Sequence, residues 1–533
     1  MKLTMIWVSI IAYMAYIVWV GVKCSRKNKN TDDFYLGGRK LGPYVTAMSA
    51  EASDMSSWLL MGLPGLALIS GFVGLTTGFA EAVWTAIGLA IGTYINWLIV
   101  AKRIRHYSAH TKSNTIPDFF SDRFGDKKGI LTAIAAVVIV VFFVPYTASG
   151  FSAVGKLFQS VFGVDYHVAM VVGSIILVAY TVIGGFLAAS TTDLIQSIVM
   201  TLALFVIICF GVESAGGVNH IADNIRAMEG FTSFGDYFSL FGTDGSFGFL
   251  PIVSTLAWGL GYFGMPHILL RFMAIEDSGK IKVARRVGTV WVIFSMAIAI
   301  IIGVIGFSFV TDAGLIGAEG FDSERIIVYM ADAIGSLDTF AAIIAGFIIA
   351  GILASIMSTA DSQLLAASSS VSENLVKRFA WKNMSGKAQM WVARGTVLLI
   401  ALVAMIFAWD PNSSVFRIVS FAWAGFGAAF GPLVLFALFW KRTNKWGALA
   451  GMLSGGIVVF IWKYAIRPLG GAWNIYELLP AFIVSAIAIV VVSLLTPAPE
   501  KEITDTFDAV ANEMKNGESL VSEENAEETV SAE

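Results

Sequence analysis

The chain has 533 residues, of which 57% are hydrophobic and 14% charged, with a mean hydropathy of +0.76 and a formal net charge of -3. An average soluble domain carries about 25% charged residues, so this composition excludes a water-soluble globule. The two cysteines, Cys24 and Cys209, are too few and too far apart for a disulfide framework or a metal cluster, and read as inert packing residues.

Apolar runs of about 20 residues, the length that spans the hydrocarbon of a bilayer, recur along the chain. The first, near 4–22, is followed by Lys23-Cys24-Ser25-Arg26-Lys27 rather than a small-residue cleavage site, so it reads as a helix and not a signal peptide. The second, near 44–70, contains Ala47-Met48-Ser49-Ala50-Glu51-Ala52-Ser53-Asp54 and then Gly62-Leu63-Pro64-Gly65. Two carboxylates and a Gly/Pro cluster at membrane depth are tolerated where they face a bundle interior or a watery cavity, and unwound backbone there offers carbonyl oxygens to a cation. Spans near 76–100, 130–154, 167–189 and 194–216 come next. Asp193, between the last two, is either a helix N-cap or a carboxylate near an ion's exit path.

The segment near 249–274 is interrupted like the second: Trp258-Gly259-Leu260-Gly261-Tyr262-Phe263-Gly264-Met265-Pro266-His267 puts three glycines and a proline inside an apolar run. Gly and Pro at such points either ease tight helix packing or break the helix. Two interruptions five hydrophobic segments apart point to inverted repeats with a midplane site, as in secondary transporters. The span near 339–360 ends Ser355-Ile356-Met357-Ser358-Thr359-Ala360-Asp361, with three hydroxyls at i, i+3 and i+4 on one helical face. Such oxygens either bond the preceding turn's carbonyls or suit a small alkali cation. Spans near 288–310, 392–409, 415–440, 447–466 and 478–496 bring the total to about thirteen, an all-α membrane protein.

Alternate loops are basic: 23–40 carries six Lys/Arg, 102–128 seven, 280–286 four, 377–387 four and 441–445 three, together 24 of 35. The positive-inside bias therefore predicts a multi-pass protein of the plasma membrane with its N-terminus outside and its C-terminus in the cytoplasm. The segment 497–533 is acidic, includes the run Glu523-Glu524-Asn525-Ala526-Glu527-Glu528, and predicts a disordered cytoplasmic tail.

From Phe34-Tyr35-Leu36-Gly37-Gly38-Arg39 to about Trp446 the chain closely resembles the sodium/solute symporter family, and within it the proline carriers. The most specific stretches are Ala52-Ser53-Asp54-Met55-Ser56, 58–65, 261–267 and 421–432. The resemblance implies a leucine-transporter-type core of two inverted five-helix repeats, 44–216 and 217–440. A peripheral helix and loop (1–43) precedes it, and two peripheral helices (441–496) and the tail follow. It also implies that the carbonyls of Ala52, Met55 and Ser355 with the hydroxyls of Ser358 and Thr359 hold Na⁺, with Asp54 and Asp193 in ion coupling. Ser56, Trp58, Gly62, Tyr146, Trp258, Tyr262 and Pro266 are then expected to receive the solute. For each aromatic residue among these the alternative is packing.

The implied function is import of a small organic solute by sodium symport and alternating access, proline first. Another amino acid, a betaine, a small carboxylate, or a solute-binding membrane sensor are the alternatives. Na⁺, the solute and the lipid bilayer are the expected partners; no nucleic acid, obligate protein partner or enzymatic activity is expected. Two positions depart from the proline carriers. Met265 replaces an expected glutamine, and Glu51 adds a carboxylate three residues before Asp54. Two close carboxylates in low dielectric resist being charged together, so Glu51 is open to a proton, a second cation or the solute's ammonium, and is expected to take part in ion coupling.

Overall fold

The computed structural model describes residues 2–25, 31–69, 77–228, 230–242, 245–316, 318 and 321–521. Lipid offers backbone groups no hydrogen bonds, so a chain this apolar must satisfy them within helices. The membrane-spanning elements are α1 (Lys2–Ser25), α2 (Pro43–Ala52), α3 (Trp58–Ile69), α4 (Gly78–His110), α5 (Ile130–Phe162), α6 (Tyr166–Ser214), α7 (Phe249–Gly264), α8 (Pro266–Ala274), α9 (Ile281–Asp312), α10 (Thr339–Ala380), α11 (Gly386–Phe407), α12 (Val415–Phe439), α13 (Lys445–Leu469) and α14 (Leu478–Leu495). Ten are long and apolar enough to cross a membrane alone. α6, at 49 residues, is two spans folded at Gly185, whose φ of 69° with ψ of -174° only glycine adopts readily. α2 with α3, and α7 with α8, each form one span in two pieces, so the described residues make thirteen crossings, matching the about thirteen apolar windows of the sequence.

Local chemistry explains where these elements begin. Asp165 accepts from the backbone N–H groups of His167 and Val168, Asp338 from Ala341, and Asn444 from Trp446 and Gly447. Each caps a helix whose first N–H groups would otherwise lack partners. Pro266 starts α8 because its fixed φ suits a first helical position and its missing N–H is not needed there.

The helices sort by how much of their surface meets lipid. α10 and α12 are almost wholly enclosed, with 78% and 83% of their membrane windows buried, whereas α1 buries 33% and presents Leu3, Val8, Ile11 and Trp19 outward. α10 packs against α1, α5, α6 and α11, and α12 against α5, α7, α13 and α14. The broken spans are thus clamped between enclosed helices.

Contacts at the breaks are backbone to backbone. A Cβ at Gly259 of α7 would lie 2.2 Å from the Gly88 carbonyl oxygen of α4, and one at Gly92 would lie 2.3 Å from that of Gly259. Small residues permit this approach, which membrane helices use in place of a hydrophobic driving force.

The sequence expectation needs one correction. Over Lys501–Asn516 the acidic tail is a helix, α15, and not disordered. Ile503, Phe507, Val510 and Met514 recur at spacings of four, three and four, which gives it an apolar face; Val510 is buried and Phe507 lies 5.1 Å from the Arg123 guanidinium. Glu513 lies 2.8 Å from His106 Nδ1 and 2.6 Å from His110 Nε2. Partial burial alone would raise the Glu513 carboxyl, but the two histidine contacts outweigh it and hold the group below its usual range. The run 523–528 lies outside the described residues.

Gly259→Ala is expected to cost about 1–3 kcal/mol, because backbone rather than a flexible side chain occupies the space. Thermal unfolding in detergent checks this, with Gly456→Ala, where a Cβ meets nothing within 4 Å, as the silent comparison.

Candidate functional site

The first break lies between Ala52 and Trp58, where the chain leaves helical geometry through Ser53, Asp54, Met55 and Ser56. The Ala52 carbonyl accepts a hydrogen bond of 2.8 Å from the Ser358 hydroxyl and a longer one of 3.5 Å from Thr359 Oγ1. Ser358 also reaches the Ser355 carbonyl at 3.2 Å, while the Ser355 hydroxyl bonds back to Ile352. Of the three hydroxyls at helical spacing, one therefore stays within its own helix and two cross to the break. Four expected ion ligands, Ala52, Ser355, Ser358 and Thr359, meet at one point, and the fifth, Met55, lies in the same break. All are carbonyl or hydroxyl oxygens, the hard neutral donors that suit an alkali cation.

Asp54 ties the expected solute residues together. Its carbonyl accepts from Ser56 N–H (2.8 Å), Trp58 Nε1 (3.0 Å) and Tyr146 Oη (3.3 Å), and its carboxylate accepts from Tyr262 Oη at 2.6 Å. Trp58 and Trp258 stand 6.4 Å apart, and Trp423 donates to the Trp258 carbonyl at 2.7 Å while meeting Tyr262 edge-on at 5.1 Å. Ser56, Trp58, Tyr146, Trp258 and Tyr262 are at most 5% exposed, so this cluster is buried. Gly62 sits higher, against Phe416, and Pro266 and fully buried Met265 form the second break.

Asp193 is placed away from this cluster. It lies inside α6, eight residues beyond the fold at Gly185, so the N-cap alternative does not hold. Its Oδ2 accepts from Ser49 at 2.6 Å and from Arg271 at 3.3 Å. Arg271 also donates to Ser49 and Ser362, and Ser362 donates to Asp361 at 3.2 Å. This buried network joins α2, α6, α8 and α10, and Arg271, Ser49 and Ser362 were not foreseen. An arginine inside an apolar run was the available signal, since charge at membrane depth rarely lacks a role.

Glu51 is also buried. Its Oε1 accepts from Thr93 (2.8 Å) and Trp97 Nε1 (2.6 Å), and among the described residues Oε2 has no partner and no Lys or Arg pairs with the group.

The two sides of the molecule differ. On the side of the basic loops, Leu41 and Ile275 pair as a short parallel bridge, Arg39 donates to the carbonyls of Met273, Ser108 and Ser113, and Arg105 donates to that of Ile275. The opposite side holds a cavity of about 800 Å³, whose lining includes Gly62 and Trp258. The structure is closed towards the basic loops and open away from them.

The family model for the sodium:solute symporters matches residues 34–455, most of the chain. The chain belongs to the sodium:solute symporter family. Among curated relatives, this symporter is 43% identical over 491 residues to the high-affinity proline transporter PutP of Bacillus subtilis, covering 92% of this chain and 98% of the relative. It is 42% identical over 502 residues to the sodium/proline symporter of Escherichia coli, covering 94% and 95%. Among solved structures, a Na⁺-coupled sialic acid symporter in a substrate-bound outward-open state superposes with a TM-score of 0.72 at 19% identity, covering 93% of this chain and 99% of that one. A nucleobase-cation-symport-1 family transporter in a closed conformation gives 0.53 at 15%, covering 90% and 99%. The fold is thus the leucine-transporter type, a 5+5 inverted repeat with discontinuous helices, and the protein is a transporter rather than an enzyme.

A double-mutant cycle of Tyr262→Phe and Asp54→Asn, read as thermal stability in detergent, is expected to show coupling of about 0.5–3 kcal/mol. Additive costs would mean that the hydrogen bond between them contributes nothing.

Proposed function

We propose that this chain imports L-proline together with Na⁺, with both bound at the two helix breaks. The observation that carries the reading is the meeting of the Ala52 carbonyl with Ser358 and Thr359 two residues before Asp54, the residue on which the aromatic cluster converges. Proline is the solute of choice because relatives 43% and 42% identical over more than nine-tenths of this chain carry proline in their names. A pyrrolidine ring is compact and apolar, and its cationic nitrogen favours the faces of Trp58, Trp258, Tyr146 and Tyr262.

In this reading the carbonyls of Ala52, Met55 and Ser355 and the hydroxyls of Ser358 and Thr359 surround the cation. Asp54, whose backbone belongs to the same break, carries the ordering effect to Trp58, Tyr146 and Tyr262. Ion and solute then raise each other's affinity by the same factor, as linkage requires. Release follows when the contacts that close the basic side, Leu41 with Ile275 and Arg39 with Met273, separate. Asp193 with Arg271 joins the same moving parts, α2 and α8, to α6, which supports its place in ion coupling. The membrane potential supplies about 2.3 kcal/mol per charge per 100 mV. The N-terminus is assigned to the outside and the C-terminus to the cytoplasm, on the basic-loop bias, so the open cavity faces out.

The test is uptake of labelled proline by proteoliposomes under an inward sodium gradient. Accumulation above the outside concentration, abolished by a sodium ionophore and competed by proline before betaines or other amino acids, is expected. Binding without accumulation would leave the sensor reading standing. Glu51→Gln is expected to shift the sodium and pH dependence of that uptake; an unchanged profile would remove Glu51 from the coupling.

A further inference from the structure

We propose that the segment 500–521, α15 and the residues after it, is an autoinhibitory strap across the gate on the basic side, whose grip on the loop after α8 must loosen before that gate opens. The inference rests on the reading above that release follows the separation of Leu41 from Ile275, and it gives a task to a segment which that reading does not use.

One end of the strap is anchored away from the gate. Arg123, on the short helix Ile116–Phe124, donates to the carbonyls of Ala437 at 2.7 Å and Trp440 at 3.4 Å, at the end of α12, and its guanidinium lies against the Phe507 ring. A Cβ at Gly125 would meet Ile503 at 3.2 Å. Glu500 pairs with Lys127 at 3.2 Å, and Asp508 with Lys441. These two ion pairs are exposed and contribute little, so the apolar face of α15 carries most of the hold.

The other end grips the gate. Past α15 the chain turns back at Gly517, whose φ of 73° suits glycine. The Ser278 N–H then donates to the Leu520 carbonyl at 2.9 Å, the Leu520 N–H donates to the Ser278 hydroxyl at 2.8 Å, and Asp277 pairs with Val521 as a short antiparallel bridge. The strap thus extends the pairing that closes the gate, in which the Leu41 N–H donates to the Ala274 carbonyl at 3.1 Å and the Glu276 N–H to the Leu41 carbonyl at 2.9 Å. His106 of α4 fixes the junction, with Nε2 3.0 Å from Ser278 Oγ and Nδ1 2.8 Å from Glu513.

Ala274 ends α8, the half-helix that follows the second break. A strap fastened at 277–278 therefore ties that half-helix to the end of α12 and to the loop that carries Arg123 and Lys127. A segment that only covered the fold would have no need to go beyond α15. This one directs its last backbone hydrogen bonds to the loop leading out of the broken helix, where a restraint acts on opening.

The experiment uses the full-length chain with Cys24→Ser and Cys209→Ser, to which Asp277→Cys and Val521→Cys are added. Residues facing each other across an antiparallel bridge lie about 4.5–5.5 Å apart at Cα, within reach of a disulfide. Oxidation is expected to cut sodium-driven proline uptake in proteoliposomes at least about tenfold and dithiothreitol to restore it, with proline binding in detergent within about twofold. Leu520→Pro, which removes the N–H that Ser278 receives, and Glu513→Ala, which frees His106, are expected to raise the maximal uptake rate about two- to threefold at unchanged KM. Backbone hydrogen exchange at 39–42 and 274–276 reads the gate with no solute present, and is expected to slow in the oxidised pair and to quicken in the two loosened variants. Uptake or exchange indifferent to oxidation, or loosened variants that bind proline normally and turn over no faster, overturns the strap. A parent chain that takes up no proline under a sodium gradient overturns the solute reading instead, and the exchange experiment then still decides on the strap.

Discussion

A helix that stops halfway across a membrane leaves carbonyl groups that neither water nor lipid can satisfy, and the structure is organised around one of them, the carbonyl of Ala52. Ser358 donates to it across the bundle at 2.8 Å. An unpaired buried polar group costs several kcal/mol in hydrocarbon, so the break persists only because α10 brings its hydroxyls there. The enclosure of α10 on all sides, the backbone contact of α4 with α7, and the fold of α6 at Gly185 all serve to hold that helix and the two breaks in register.

In the proposed reading the same constraint couples ion and solute. Asp54 belongs to the unwound segment whose oxygens are proposed to hold the cation, and it also holds Tyr146, Trp58 and Tyr262 through its carbonyl and carboxylate. Whatever orders the segment orders the aromatic cluster. No separate relay is then needed, because both proposed sites draw on the unwound backbone of 53–56. The asymmetry of the molecule follows: with the break clamped, the Leu41 to Ile275 bridge seals one face while the cavity at Gly62 and Trp258 opens the other.

Much of this was legible in the sequence, because membrane depth penalises exceptions so heavily. Glu51 and Asp54 flank or enter the first break, whereas Gly62-Leu63-Pro64-Gly65 lies within α3, and three glycines before Pro266 mark the second. Spacing alone left open whether Ser355, Ser358 and Thr359 bond their own helix or face a site; the structure divides them, because only Ser358 and Thr359 point to the break. Arg271 escaped notice because its partners come from three other spans, which no local pattern reveals. The tail misled for a different reason. Its charge content signals disorder, yet Ile503, Phe507, Val510 and Met514 keep a helical period, and Glu513 finds His106 and His110 on the basic face.

The claim on which the account depends is that neutral oxygens at this break hold sodium. Equilibrium binding of radioactive sodium to the purified chain in detergent tests it directly. The account predicts saturable binding that proline strengthens and that the double substitution Ser358→Ala with Thr359→Ala abolishes while the protein stays folded. Undiminished binding in that variant would place the cation elsewhere and contradict the account.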